Sequence, residues 1–515
     1  MDKCNCSYCP TIIVPGIGQS KVDLYSDNNE RIKCAWPLDV DTKAFVKRII
    51  PSGIKLLITK SDKSFCKSLK NAISEAVKPL RVNKEGVSTE NLRVVDYDGH
   101  SLKDCKPDDR RYIYKMVPME PLAEVIGEDH LYFFAYNSFG QPYETAKRLD
   151  EYIQNVKKET GHDKVNLIPV SLGGSIATAY FDAYGSKNDV NRVCYFVPAT
   201  NGSTLIADAF SKNLDLSNPT SLLQMFLDSK TVDLIGNLLK RFHKDTAEHI
   251  VDALVDGLLE TFLRNCPGMW AVVPKEKYES YRDKYLIGDE YKILREKTDR
   301  FYKAQSNLRE LLTNIEKQGT RFFAVCGYDL PLLPFAGTKN LNSDTIVDFK
   351  SASLGGYAVA PNEKLPEDYK PQYDRCQNKE HNHISPEGTV DLGTAIFPDS
   401  TFCFRHQVHD DVAYNDVALL LCKEILTNES FVGVYSDPRF PQFNGTRDVF
   451  RIKYRLLPRV DELLKKDLPE DIKNSILKSV EEVNAMFNNT IIKDRTEADE
   501  ITKRFDEIVK KAEEV

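Results

Sequence analysis

The stretch Lys164-Val-Asn-Leu-Ile-Pro-Val-Ser171-Leu-Gly-Gly-Ser-Ile-Ala-Thr-Ala-Tyr180 constrains this chain more than any other. Val165 to Val170 is a mostly apolar run of the right length for one buried strand. It stops at Ser171, and Leu172 to Tyr184 reads as a helix that Gly185 closes. A serine between a buried strand and a helix, with glycines right behind it, is the pattern of a nucleophile elbow. Such a turn is sharp and needs small neighbours, which Gly173 and Gly174 supply. The helix start also offers the free backbone N–H of Leu172 to a developing oxyanion. Pro169 stands where the usual G-x-S-x-G pattern has its first glycine. The plain alternative is an ordinary strand–turn–helix whose serine only caps the helix.

The surroundings of this stretch point to a parallel α/β sheet. Leu131 to Tyr136 is a strand, and Ala146, Leu149, Ile153 and Val156 recur at helical spacing behind it. The elbow strand and helix follow, and Val193 to Val197 adds another strand. Alternation of this kind builds a mostly parallel sheet flanked by helices. Thr11 to Val14 is an earlier short strand that runs into Pro15-Gly-Ile17-Gly-Gln19. In a serine hydrolase the loop after an early strand gives the second oxyanion N–H. Ile17 is the best candidate, with Gly18 and Gln19 next.

The chain is 515 residues long, which asks for a large domain with insertions or for more than one domain. We expect a core in two parts, residues 1–203 and 319–450. The first part carries an insertion over about 30–125, anchored by Trp36-Pro37. Residues 204–318 read as a helical cap, in which Ile250, Leu254, Leu258 and Phe262 form a stripe that Val251, Val255 and Leu259 widen. That stripe is either helix–helix packing or the underside of a lid over an acyl pocket. Residues 451–515 read as a C-terminal extension of amphipathic helices.

Composition excludes several classes. The net charge is −7 with mixed signs, and no basic patch suggests nucleic acid. No apolar run approaches the ~18 residues of a membrane span. The opening residues show no signal-peptide pattern. Twelve cysteines scattered through a chain of this size argue against a disulfide framework, so reduced thiols and a cytoplasmic location are expected. Cys4, Cys6 and Cys9 form a C-x-C-x-x-C cluster that would need a fourth ligand, such as His381 or His383, to hold a metal. No second C-x-x-C pair completes a zinc-ribbon spacing, so no metal and no cofactor are expected.

A serine nucleophile needs a base to take its proton and an acid to orient that base. The order Ser, acid, His is available: Ser171, a carboxylate in the 387–391 region, then His409, with His406 as the fallback.

At this point the chain resembles the lecithin:cholesterol acyltransferase-like branch of the α/β-hydrolases, in patches across residues 11–425. Val14-Pro15-Gly16 is similar to that family's oxyanion loop. Phe134-Ala-Tyr-Asn-Ser138 is similar to its YDWR strand, and Val170-Ser171-Leu-Gly-Gly174 to its HSLGG elbow, with Val170 in place of histidine. Pro198 to Ser203 resembles its APxxGS turn, and Cys266 to Pro274 its PSxxWLLP segment. Glu387-Gly-Thr-Val390 resembles its DGTV run, which carries the catalytic acid, and His409-Asp-Asp-Val-Ala-Tyr-Asn415 its histidine loop. The resemblance implies an α/β-hydrolase fold with a helical lid and a Ser171–Glu387–His409 triad, Asp391 and Asp329 being alternative acids. It implies a lipid-type ester as substrate. Hydrolysis is the first expectation. Acyl transfer to an alcohol and a non-catalytic binding protein on the same fold are the rivals. A lid of this kind is compatible with peripheral contact at a membrane surface.

Overall fold

The structure, a computed structural model, describes residues 6–38, 41–97, 99–117, 120–215, 244–261, 263–372, 375–376, 378, 381–445, 460, 462–488 and 495–513. The chain opens with β1 (Thr11–Val14), buried along its whole length. A hairpin, β2 (Val22–Tyr25) and β3 (Arg31–Trp36), leads to α1 (Thr42–Thr59) and α2 (Lys63–Ala76). Then come β4 (Asn91–Val94), α3 (Pro107–Met116) and α4 (Glu120–Ile126). From there strands and helices alternate: β5 (Leu131–Phe133), α5 (Pro142–Thr160), β6 (Val165–Pro169), α6 (Gly173–Tyr184), β7 (Val190–Phe196) and α7 (Thr204–Ser211). The second half supplies β8 (Arg321–Tyr328), β9 (Tyr357–Ala358), β10 (Val390–Asp391), β11 (Thr401–Arg405) and β12 (Phe443–Gly445).

Seven of these strands form one sheet in the order β12-β11-β8-β7-β6-β1-β5, and every neighbouring pair is parallel. The sheet is buried on both faces, as a parallel sheet requires. Ile12, Leu167, Val193 and Ala324 pack to one side, and Ile13, Ile168, Cys194 and Phe323 to the other. This is the α/β-hydrolase fold. After β1 the chain goes to the edge strand β5, then returns across β1 to β6 and proceeds outward. Chain direction therefore reverses between β1 and β6. Crevices at the carboxyl ends of strands at such a reversal are where open α/β sheets bind ligands.

The α5 helix shows why the local pattern was readable. Pro142 starts it, Ala146, Leu149, Ile153 and Val156 are buried, and Gly161 ends it at a φ of 75°. Two strands of the region 30–125, β3 and β4, flank β2 in a small antiparallel sheet. Trp36 anchors it by donating its indole N–H to the Gly18 carbonyl at 2.9 Å. The α2 helix packs against the helix Lys244–Thr261, where Phe65, Leu69 and Ile73 meet the buried residues Ile250, Val251, Leu254, Val255, Leu258 and Leu259. Gly257 permits the approach, because a Cβ there would lie 2.9 Å from Ile73 Cγ2. The apolar stripe thus serves helix–helix packing. Phe262 and residues 216–243, also expected in the cap, lie outside the described residues. The C-terminal helices Glu470–Asn488 and Arg495–Glu513 close a small core of their own around Ile476, Phe505 and Val509.

Arg192 holds the far side of the sheet. It is fully buried and donates to the carbonyls of Ile425 (2.7 Å), Phe431 (2.8 Å) and Glu429 (2.8 Å). Removing the guanidinium strands those acceptors, each costing ~1–3 kcal/mol if it stays dry. Arg192→Met should therefore lower the unfolding free energy by about 3 kcal/mol in urea titrations. A loss below ~0.5 kcal/mol would show that these bonds are dispensable.

Candidate active site

Ser171 follows β6 directly and adopts a φ of 52°. A non-glycine residue in this region stores about 1–3 kcal/mol of strain, so the surroundings must impose it. They do so through the backbone. Ser171 N–H donates to the Phe196 carbonyl (3.1 Å), and its own carbonyl accepts from Gly174 (2.9 Å) and Ala199 (2.8 Å). The elbow presses on the end of β1. A Cβ at position 173 would sit 2.1 Å from the Val14 carbonyl oxygen, so only glycine fits there. At position 174 a Cβ would sit 2.9 Å from Pro198 Cβ.

The loop after β1 lies against the serine. A Cβ on Gly16 would come within 2.9 Å of Ser171 Cβ. Three N–H groups of this loop are engaged: Gly16 with Gln19 Oε1 (2.6 Å), Gly18 with Ser138 Oγ (3.2 Å) and Gln19 with the Gly16 carbonyl (3.4 Å). Ile17 N–H and Leu172 N–H have no acceptor among the described residues. Of the three loop candidates, Ile17 is thus the one with a backbone N–H to spare.

His409 sits beyond the end of β11, buried, and its Nδ1 lies 2.7 Å from Asp344 Oδ2. A carboxylate only accepts, so Nδ1 carries the hydrogen and Nε2 is left basic. Burial lowers the imidazole pKa. The Asp344 charge and hydrogen bond outweigh it, with Asp410 adding, and the net shift is upward from the ordinary value. Asp344 is itself fully buried and held: Oδ1 accepts from the N–H groups of Val347 (2.7 Å) and Ile346 (3.1 Å), and its carbonyl accepts from His409 N–H (2.8 Å).

The expected partner of His409, Glu387, is not there. It lies in the turn between Ser385 and Gly388, facing Tyr328 and Arg405, and its charge adds to the burial that pushes the Tyr328 phenol upward. Asp391 is taken by the Tyr369 hydroxyl (2.7 Å) and Gly393 N–H (2.7 Å). Asp329, at the end of β8, binds Arg405 (2.8 Å) and faces the fallback histidine, His406 (3.3 Å). The physical reason for the exchange is a reversal of the chain after β8. Leu330 and Ser343 exchange backbone hydrogen bonds (2.8 and 3.3 Å), which returns residue 344 to the sheet. Gly327 leaves room for it, since a Cβ there would lie 2.9 Å from Asp344 Cβ. The signal in the sequence is the run Asp344-Thr-Ile-Val347 inside a connection that looks merely polar, separated from His409 by 65 residues.

Of the three clustered cysteines, two are described. Cys4 lies outside the described residues. Cys6 Sγ is 3.2 Å from His162 Nε2, and Cys9 lies near Asn191 with burial pushing its thiol up to about 11. His381 and His383 lie together elsewhere.

Ser171, Ile17 and His409 line one cavity of about 600 Å³. Its walls are mostly apolar: Trp36 and Phe139 near the loop after β1, Val117 and Leu122 from the 30–125 region, Leu205, Ile206, Ala209 and Phe210 from α7, then Leu263, Met269, Phe335 and Ile346. Asp410 and Asp411 add charge at one side. No family model matches the chain, and no curated protein matches it significantly. Among solved structures, the mature form of the lipase BlEst2 from Bacillus licheniformis is similar at 14% identity and a TM-score of 0.26, over 59% of this chain and 83% of that one. The sheet order and the elbow carry the fold. Among the described residues no helix is long and apolar enough to cross a membrane.

Proposed function

We propose that the protein is a serine hydrolase for carboxylic esters with an apolar acyl chain. The observation that carries this reading is the meeting of a strained Ser171 and a buried His409–Asp344 pair on one apolar cavity. Ser171 Oγ attacks the acyl carbonyl while His409 Nε2 takes its proton. Asp344 holds the imidazole tautomer and stabilises the imidazolium. The N–H groups of Leu172 and Ile17 bind the oxyanion, each donor being worth about 3 kcal/mol. His409 then protonates the leaving alkoxide, and water resolves the acyl-enzyme by the same steps in reverse.

Esters of one chromophoric alcohol and graded acyl length test the reading. The ratio kcat/KM should rise with chain length until the cavity is filled. Ala209→Trp, which narrows the α7 wall, should cut kcat/KM for a long ester at least ~10-fold and spare the acetate. Hydrolysis of acetate alone, indifferent to this substitution, would separate the cavity from the substrate.

The pH profile gives a second check. Only neutral His409 accepts the proton, and Asp344 raises its pKa. Activity should therefore fall on acidification with a midpoint above the ordinary histidine value of about 6.5. A midpoint well below that value would contradict the pairing.

A further inference from the structure

We infer that the protein carries a divalent transition-metal site, best suited to zinc, formed by Cys376, His381, His383 and Asp399. These side chains come from two segments, a loop and the turn just before β11, and offer one atom each within 4.8 Å of all the others. His381 Nδ1 and His383 Nε2 are 3.3 Å apart. Asp399 Oδ1 lies 3.4 Å from His383 Nε2, 3.9 Å from His381 Nδ1 and 3.3 Å from Cys376 Sγ. A tetrahedral zinc ion with bonds of about 2.0–2.3 Å spaces its ligand atoms about 3.3–3.7 Å apart. Three of the four separations above fall in that range, and the fourth, 3.9 Å, lies just beyond it.

The chemistry of the set agrees with the geometry. A thiolate, two imidazoles and one carboxylate suit zinc and not the all-oxygen preference of magnesium or calcium. The support around the ligands also fits. Gln442 donates its amide hydrogens to the carbonyls of Pro398 (2.7 Å) and Thr401 (3.0 Å), which turns Oε1 towards His383 Nδ1 at 2.9 Å. An acceptor there places the hydrogen on Nδ1 and makes Nε2, the atom in the cluster, the nitrogen suited to bind a metal. A histidine ligand oriented through its other ring nitrogen is the usual arrangement at metal centres.

Four protein ligands leave no open position, so the site is structural. It ties Cys376, His381 and His383 to the turn just before β11. The strand spans five residues, about 16 Å, before the turn that leads to His409. The metal thus stands at the opposite end of β11 from Ser171 and takes no part in ester chemistry. The inference is independent of the proposed hydrolase.

The full-length chain, purified without chelator or metal-affinity resin, should contain about one zinc per chain by elemental mass spectrometry. Metal-free protein titrated with Co²⁺ should develop tetrahedral ligand-field bands and a thiolate-to-cobalt charge-transfer band. Cys376→Ser should lose the charge-transfer band. In unaltered protein, Zn²⁺ should protect Cys376 from alkylation, mapped by peptide mass spectrometry, a readout that needs no variant to fold. An octahedral cobalt spectrum without charge transfer overturns the inference. So does Cys376 alkylation that Zn²⁺ leaves unchanged, which would leave the cluster as a hydrogen-bonded network only.

Discussion

Ser171→Ala should lower kcat for ester hydrolysis by about 10⁶-fold, the scale seen when a triad serine is removed from a well-built site. The protein should stay folded, because the elbow is held by the backbone bonds to Phe196, Gly174 and Ala199 and not by the serine hydroxyl. Retention of more than a few per cent of activity would sink the assignment. Strain adds a second readout. At a φ of 52° glycine is more comfortable than serine or alanine. Ser171→Gly should be inactive yet more stable than wild type by about 1 kcal/mol. An inactive variant with raised stability would separate the chemical role of this residue from any structural one.

Asp344→Asn should lower kcat by about 10⁴-fold, while Glu387→Gln stays within a few-fold of wild type. The amide keeps the size of the carboxylate. It can donate to His409 Nδ1 and so favours the tautomer whose Nε2 carries the hydrogen, which cannot act as a base. The largest cause acting on His409, burial, would then go unopposed by the Asp344 charge, and the histidine pKa should drop. The residual activity of Asp344→Asn should consequently persist to lower pH than that of wild type. A large loss in Glu387→Gln with Asp344→Asn near wild type would restore the other carboxylate.

The fold and the elbow were legible because both rest on short-range rules. Buried strands of four to eight residues, the α5 stripe and the glycines after Ser171 are patterns that neighbours in sequence impose. Ile17 could be ranked ahead of Gly18 and Gln19, but the reason became visible only with Ser138 in place, since that side chain engages Gly18 from 120 residues away. Asp344 was hidden for the same kind of reason. Its environment is made by the Leu330–Ser343 pairing, by the space at Gly327 and by the N–H groups of Ile346 and Val347. Glu387-Gly-Thr-Val390 has a better local match to the family's acid motif, yet it leads into β10, which pairs with β9. The wide stripe on the helix Lys244–Thr261 could not be told from a lid by periodicity. In the structure the stripe packs against α2. The Cys376, His381, His383 and Asp399 cluster escaped because its spacing matches no repeated ligand pair, and the fourth ligand lies beyond the β10 strand.

The most direct test is labelling of the folded, full-length protein with a fluorophosphonate, followed by peptide mass spectrometry. Such a probe reacts with a serine only where a base has activated it and donors stabilise the incoming oxyanion. Stoichiometric label on Ser171 is expected, slowed by orders of magnitude in Asp344→Asn and unchanged in Glu387→Gln. Folded wild-type protein that stays unlabelled, or that carries the label on another serine, would contradict it.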